Sequence, residues 1–250
     1  MAVSPDGAND TPAEERASQT VGVEPAPLDL DVHVDTDLTP LYRLLRAAVH
    51  LVNRVVFRTT VTPAGTVPAE GPVIIAPVHR SFIDFLVASE VTHRKVHYMA
   101  KDTLWKNGLL ARILPRLGAF PVHRESADRE ALRRAQRVLD AGEVLILFPE
   151  GERRTGPVIE HLHEGVAFLA ARTGASVIPV GIGGSASVMP KGSKIPRPRH
   201  VHLEVGPALP PPPRSGSGRV PRSRIHLLTE ELTAALQVLY DSSVETTGRY

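Results

Sequence analysis

His79 and Asp84 stand five residues apart in the stretch 71–90, which reads GPVIIAPVHRSFIDFLVASE. A histidine accepts a proton near neutral pH when a carboxylate fixes its tautomer and stabilises the charged ring. Val73, Ile74 and Ile75 form a short apolar, β-branched run that predicts a buried strand ending at Pro77. Apolar residues then resume with helical spacing at Phe82, Phe85 and Leu86. A strand therefore delivers His79 to the mouth of a helix whose first turn holds Asp84. That arrangement suits a general base and its orienter in acyl transfer. Ser81-x-x-Asp84 is equally a capping box, in which Asp84 bonds the Ser81 amide and does no chemistry. The stretch alone leaves both readings open.

Two other polar clusters follow apolar segments: 118–124 (GAFPVHR) and 148–153 (FPEGER). Ligands of α/β sheets bind beyond the carboxyl ends of the strands, so the three clusters are expected to share one mouth. Gly151 permits close backbone approach. Arg124 and Arg153 each offer a planar fork for a phosphate. A single arginine is usually a solvated surface charge; two of them, each closing a Gly/Pro loop, favour the binding role.

Together these clusters resemble the four sequence blocks of the glycerolipid acyltransferase family, whose best-known members are the 1-acylglycerol-3-phosphate acyltransferases. The His-x4-Asp block is matched by His79 and Asp84, and the second block by Gly118, Phe120 and Arg124. The Phe-Pro-Glu-Gly-x-Arg block is matched at 148–153, and the fourth, an apolar strand containing proline, at 177–180 with Pro179. Order and spacing agree across about 72–182.

The resemblance implies transfer of a fatty acyl group from acyl-CoA or acyl carrier protein to a lysophospholipid hydroxyl, with His79 as base and Asp84 as its orienter. It further implies that Arg124 and Arg153 hold the acceptor phosphate while Glu150 and Gly151 shape the site. Lys101 stands where the family often has a basic residue. Phe120 and Pro179 would be structural or line an acyl pocket. No metal, covalent intermediate or cofactor is implied beyond the acyl donor. Two departures bear on the acceptor. Glu152 and Arg154 stand where the third block commonly has Thr and Ser, and His163 and Glu164 precede Gly165 where the family usually has a lysine.

These residues need a scaffold, and the pattern supplies one. Strands are expected at 96–100, 144–148, 177–182 and 201–205, alternating with helices at 104–117 (interrupted at Pro115), 127–141 (capped by Ser126) and 163–172. That alternation predicts a single α/β domain with a mixed, mostly buried sheet flanked by helices. The segment 118–124 is too broken by Gly and Pro for a central strand and reads as a loop or edge. Pro179 argues for a bulge or edge in its own strand.

The chain divides into an acidic tail (1–38) that reads as disordered, a helix (39–58), the acyltransferase domain (59–206), a Pro/Gly/Ser-rich linker (207–222) and a C-terminal helix and tail (223–250). In the helix 39–58, Thr39 is the expected cap and Pro40 fits the first position. Leu41, Leu44, Leu45, Val49, Val52, Val55 and Val56 form an apolar face beside Arg43, Arg46, Asn53 and Arg54. That composition fits a helix lying in a membrane interface, or one packed on its own domain.

The tail 1–38 holds nine acidic residues against one arginine, a net of −8, so the formal charge of +2 leaves +10 for the rest. A basic body suits phosphorylated substrates or anionic membrane surfaces. The basic stretch 191–200 lacks the stacking aromatics of a nucleic-acid surface, so no nucleic-acid partner is expected. With no cysteine, disulfides and thiolate chemistry are excluded. The histidine pairs at 93/97 and 161/163 are too loose as motifs to predict a metal. No apolar run approaches the roughly 20 residues of a membrane span, and MAVSPDGAND lacks the basic start and apolar core of a signal peptide. The expected location is peripheral, on the cytoplasmic face of the membrane.

Overall fold

The computed structural model describes residues 39–63, 67–122, 129–190, 193, 195–213 and 220–249. The expectations for the tail 1–38, for Arg124 and for the Ser126 cap lie outside them. Among the described residues one sheet is built from β1 (Thr60–Thr62), β2 (Val73–Pro77), β3 (Val96–Lys101), β4 (Ala119–Val122), β5 (Val144–Ile146), β6 (Ser176–Gly183) and β7 (His202–Val205). The helices are α1 (Pro40–Val55), α2 (Asp84–Val87), α3 (Gly108–Ile113), α4 (Arg129–Asp140), α5 (Gly165–Thr173), α6 (Ser185–Val188) and α7 (Arg222–Thr247).

Strand order is β1-β7-β6-β2-β5-β3-β4. Strands β2 to β6 run parallel, whereas β7 is antiparallel to β6 and parallel to β1. The sheet is mixed, as the pattern predicts. Every residue of β2 and β5 is buried, which is why both read as unbroken apolar runs. They are neighbours in register, Ile75 opposite Ile146, so the polar turns that follow them meet.

The segment 118–124 supplies the edge strand β4, as its Gly and Pro content predicts. The edge expectation for Pro179 is corrected: β6 is interior, flanked by β2 and β7. Pro179 is tolerated because its neighbour on the β7 side changes there. Val177 bridges to Leu209, the ladder with β7 begins at Val180, and the Pro179 carbonyl accepts from Gly206 N at 2.9 Å. The missing N–H falls in that interruption.

The C-terminal helix is longer than the expected pattern and covers β6. Leu228, Leu232, Leu236, Tyr240 and Val244, spaced by four, are buried in the common core. Gly181 and Gly183 permit the contact. A Cβ on Gly181 would stand 2.2 Å from the Leu239 carbonyl oxygen, and one on Gly183 2.0 Å from that of Ser243.

The start of α1 is as read, with Thr39 Oγ1 accepting from Tyr42 N at 3.2 Å. Its polar residues, however, hold it to the domain. Arg46 donates to the Arg94 carbonyl at 2.5 Å and also to that of Thr92. Asn53 Nδ2 donates to Leu86 O (3.0 Å) and Glu90 Oε1 (2.7 Å), and Tyr42 Oη accepts from Val96 N (3.2 Å). Leu41, Leu44, Leu51, Val52 and Val55 are left exposed.

Candidate active site

His79 and Asp84 are buried side by side, and Nδ1 donates to Asp84 Oδ2 at 3.0 Å. An ionised carboxylate has no proton to give, so this bond fixes the tautomer with the lone pair on Nε2. The same Oδ2 accepts from Arg80 N and Ser81 N, each at 2.6 Å. The two sequence readings of Asp84 are therefore not alternatives: one oxygen ties down the turn and orients the imidazole. Ser81 does not use its hydroxyl as a cap, since Oγ donates to the Met189 carbonyl at 3.2 Å. The imidazole also stacks on Phe148, with ring centroids 4.1 Å apart.

The loop after β5 grips the loop after β2. Phe148 O accepts from Gly151 N at 3.1 Å in a tight turn with Gly151 at φ 71°, a backbone conformation that glycine adopts without strain. The turn aims Glu150 inward. Its Oε1 accepts from His79 N at 2.8 Å and its Oε2 from Arg80 Nη1 at 2.5 Å. Glu150 and Arg80 are 2% and 5% exposed, so the pair is fully desolvated. The His79 carbonyl accepts from Arg154 N at 2.9 Å and Arg80 Nη1 at 3.2 Å. The backbone of His79 is thus held at both its N–H and its C=O. Arg80, hidden from a motif reading, is the hub of that arrangement.

The remaining expected residues lie on neighbouring strands and loops. Arg153 is exposed and makes no ion pair among the described residues, while its neighbours Glu152 and Arg154 pair at 3.3 Å. Lys101 ends β3 opposite Val122 of β4, so the chain leading to Arg124 leaves the sheet beside Lys101. Phe120 and Pro179 are packed in their strands. His163, for which the sequence offers no role, lies over Gly151: a Cβ there would come within 2.7 Å of its ring. His93 is exposed and His97 is buried in β3.

The family model described as Acyltransferase matches residues 58–183, half of the chain. The chain belongs to the acyltransferase family. Among its relatives, the 1-acyl-sn-glycerol-3-phosphate acyltransferase of Bacillus subtilis (strain 168) is 29% identical over 121 residues, covering 48% of this chain and 60% of that protein. The protein of the same name from Streptococcus pneumoniae (strain ATCC BAA-255 / R6) is 30% identical over 113 residues, or 44% and 41%. The chain thus spans less than two thirds of these curated relatives. The fold is shared with the crystal structure of the 1-acyl-sn-glycerophosphate (LPA) acyltransferase PlsC from Thermotoga maritima, at a TM-score of 0.63 and 22% identity, over 86% of this chain and 84% of that one. In this acyltransferase-family chain the matched segment carries His79, Asp84, Glu150 and Arg153. It begins after α1 and ends before α7.

Proposed function

We propose that the protein transfers a fatty acyl group from acyl-CoA or acyl carrier protein to the hydroxyl of a lysophospholipid, 1-acylglycerol-3-phosphate giving phosphatidic acid. The observation that carries this reading is the buried His79–Asp84 pair, 3.0 Å apart, in the loop that leaves the carboxyl end of β2. His79 Nε2 takes the proton of the acceptor hydroxyl as its oxygen attacks the thioester carbonyl. The tetrahedral intermediate then collapses, the carbon–sulfur bond breaks, and the thiolate leaves with the proton from Nε2. Arg153 and Arg124 hold the acceptor phosphate, and Lys101 adds positive charge at the same end of the sheet. The relatives named 1-acyl-sn-glycerol-3-phosphate acyltransferase support this acceptor. A second reading, a lysolipid or amino-lipid with another headgroup, is favoured by His163 over Gly151 and by the Glu152–Arg154 ion pair beside Arg153.

The test is release of CoA from acyl-CoA with a panel of lysolipids. Activity with lysophosphatidic acid above the other acceptors is the expected result, and the absence of CoA release with every acceptor would overturn the reading. In the same assay Arg153→Ala should raise the acceptor KM by about tenfold, the worth of one charge-assisted hydrogen bond. An unchanged KM removes Arg153 from the phosphate site.

We place the protein at the cytoplasmic face of a membrane with anionic lipids, bound peripherally through α1. Its exposed apolar residues lie beside Arg43 and Arg54, the composition of an interfacial helix. No helix among the described residues is long and apolar enough to cross a membrane. Leu44→Asp with Leu51→Asp, both at exposed positions, should abolish sedimentation with anionic vesicles without lowering thermal stability. Undiminished sedimentation assigns the contact elsewhere.

A further inference from the structure

We infer that Tyr240, on the inner face of α7, is a positioning residue for acyl transfer that acts through Arg80 on the backbone of His79. The inference rests on the acyl-transfer reading above and extends it to a helix outside the family match.

The path is short and buried. The Arg80 guanidinium carbon lies 4.9 Å from the centre of the Tyr240 ring, within the range of a cation–π contact, which strengthens when desolvated. Tyr240 is 1% exposed. Burial pushes its hydroxyl above the ordinary phenol value, against the opposing effect of Arg80, so the ring meets the guanidinium uncharged. Beyond Glu150 and the His79 carbonyl, the same guanidinium donates to the carbonyls of Gly156 (3.2 Å) and Val158 (3.4 Å).

The loop that carries those two carbonyls is itself held by α7. One turn before Tyr240, Gln237 Oε1 accepts from Ile159 N at 2.8 Å and its Nε2 donates to the Pro157 carbonyl at 3.0 Å. The helix thus touches Arg80 directly through Tyr240 and indirectly through the loop clamped by Gln237. Its height over the sheet is fixed, because a Cβ on Gly181 would meet Tyr240 N at 2.7 Å. A planar cation held on one face by an aromatic ring and at its edge by carbonyls has little freedom to turn. Arg80 keeps Glu150 aimed at His79 N, and that bond holds the backbone from which the imidazole reaches Asp84.

The test compares three variants of the full chain, assayed where circular dichroism shows each fully folded. Tyr240→Leu, which keeps bulk but removes the ring, should lower kcat about tenfold while acceptor KM stays within about twofold. Tyr240→Phe restores the ring and should recover kcat to within about threefold of wild type. Leu232→Ala, which damages the α7–sheet packing two turns away, should lower the melting temperature and leave kcat within about twofold. Equal kcat losses in Leu232→Ala and Tyr240→Leu would reduce Tyr240 to a packing residue and overturn the proposal, as would wild-type kcat in Tyr240→Leu. A second readout needs no turnover. In ¹⁵N-histidine-labelled protein the His79 Nδ1–H resonance should be sharp in wild type and broadened in Tyr240→Leu by faster exchange with water. An unchanged resonance sinks the inference even if no acceptor is found, and a broadened one supports it independently of substrate.

Discussion

Replacing His79 with alanine is expected to lower kcat by about a hundred- to ten-thousandfold, the usual worth of a positioned general base, with a smaller effect on acceptor KM. Among the described residues the imidazole hydrogen-bonds Asp84 and stacks on Phe148, so its loss removes the expected proton acceptor without dismantling the loop. Asp84 should separate into two contributions. Asp84→Asn keeps an oxygen that accepts from Arg80 N and Ser81 N but loses the charge that stabilises the imidazolium; stability should hold while kcat falls by about a hundredfold or more. Asp84→Ala also leaves the two buried backbone donors, Arg80 N and Ser81 N, without their acceptor and should be destabilised by about 2 kcal/mol or more. CoA release can be followed with a thiol reagent, because the chain contributes no cysteine of its own. Activity of His79→Ala above a tenth of wild type would remove His79 from the role of base.

The pairing of His79 with Asp84 is legible because the two residues are local. His79 and Asp84 lie within one strand-to-helix turn, and the Phe148–Gly151 turn carries its own Pro and Gly signals. That the two turns meet follows from β2 and β5 being adjacent and parallel, which the apolar runs only hinted at. What holds His79 in place was not legible. Glu150 reaches His79 N across 71 positions, and Arg80 looks like any surface arginine until Tyr240 and the 156–158 carbonyls are seen around it. Strand β1 is not legible because three residues at a sheet edge carry no apolar period. The apolar face of α1 is legible in the sequence, but polar side chains hold that helix to the domain, and such anchors leave no periodicity. Glycines 181 and 183 sat unremarked in an apolar strand; their reason is a helix more than fifty residues later.

Glu150 and Arg80 make the strongest structural prediction. Both are almost wholly removed from water, and neither is at an edge where solvent could reach it. Breaking a buried pair by deleting one partner leaves the other charged and uncompensated, which costs about 3–5 kcal/mol. Glu150→Ala should therefore destabilise the protein by about that amount and abolish transfer, since it also strips the acceptor from His79 N. Arg80→Met leaves Glu150 bonded to His79 N but unpaired, and should cost a similar amount. In the double variant Arg80→Met with Glu150→Leu neither charge of this pair remains. Its stability should therefore recover to within about 2 kcal/mol of wild type while transfer stays lost, because nothing holds the His79 amide. Urea unfolding of the four proteins gives the coupling energy directly. A double variant as unstable as the sum of the single losses would mean that Arg80 and Glu150 act separately, through their carbonyl and amide partners rather than through each other.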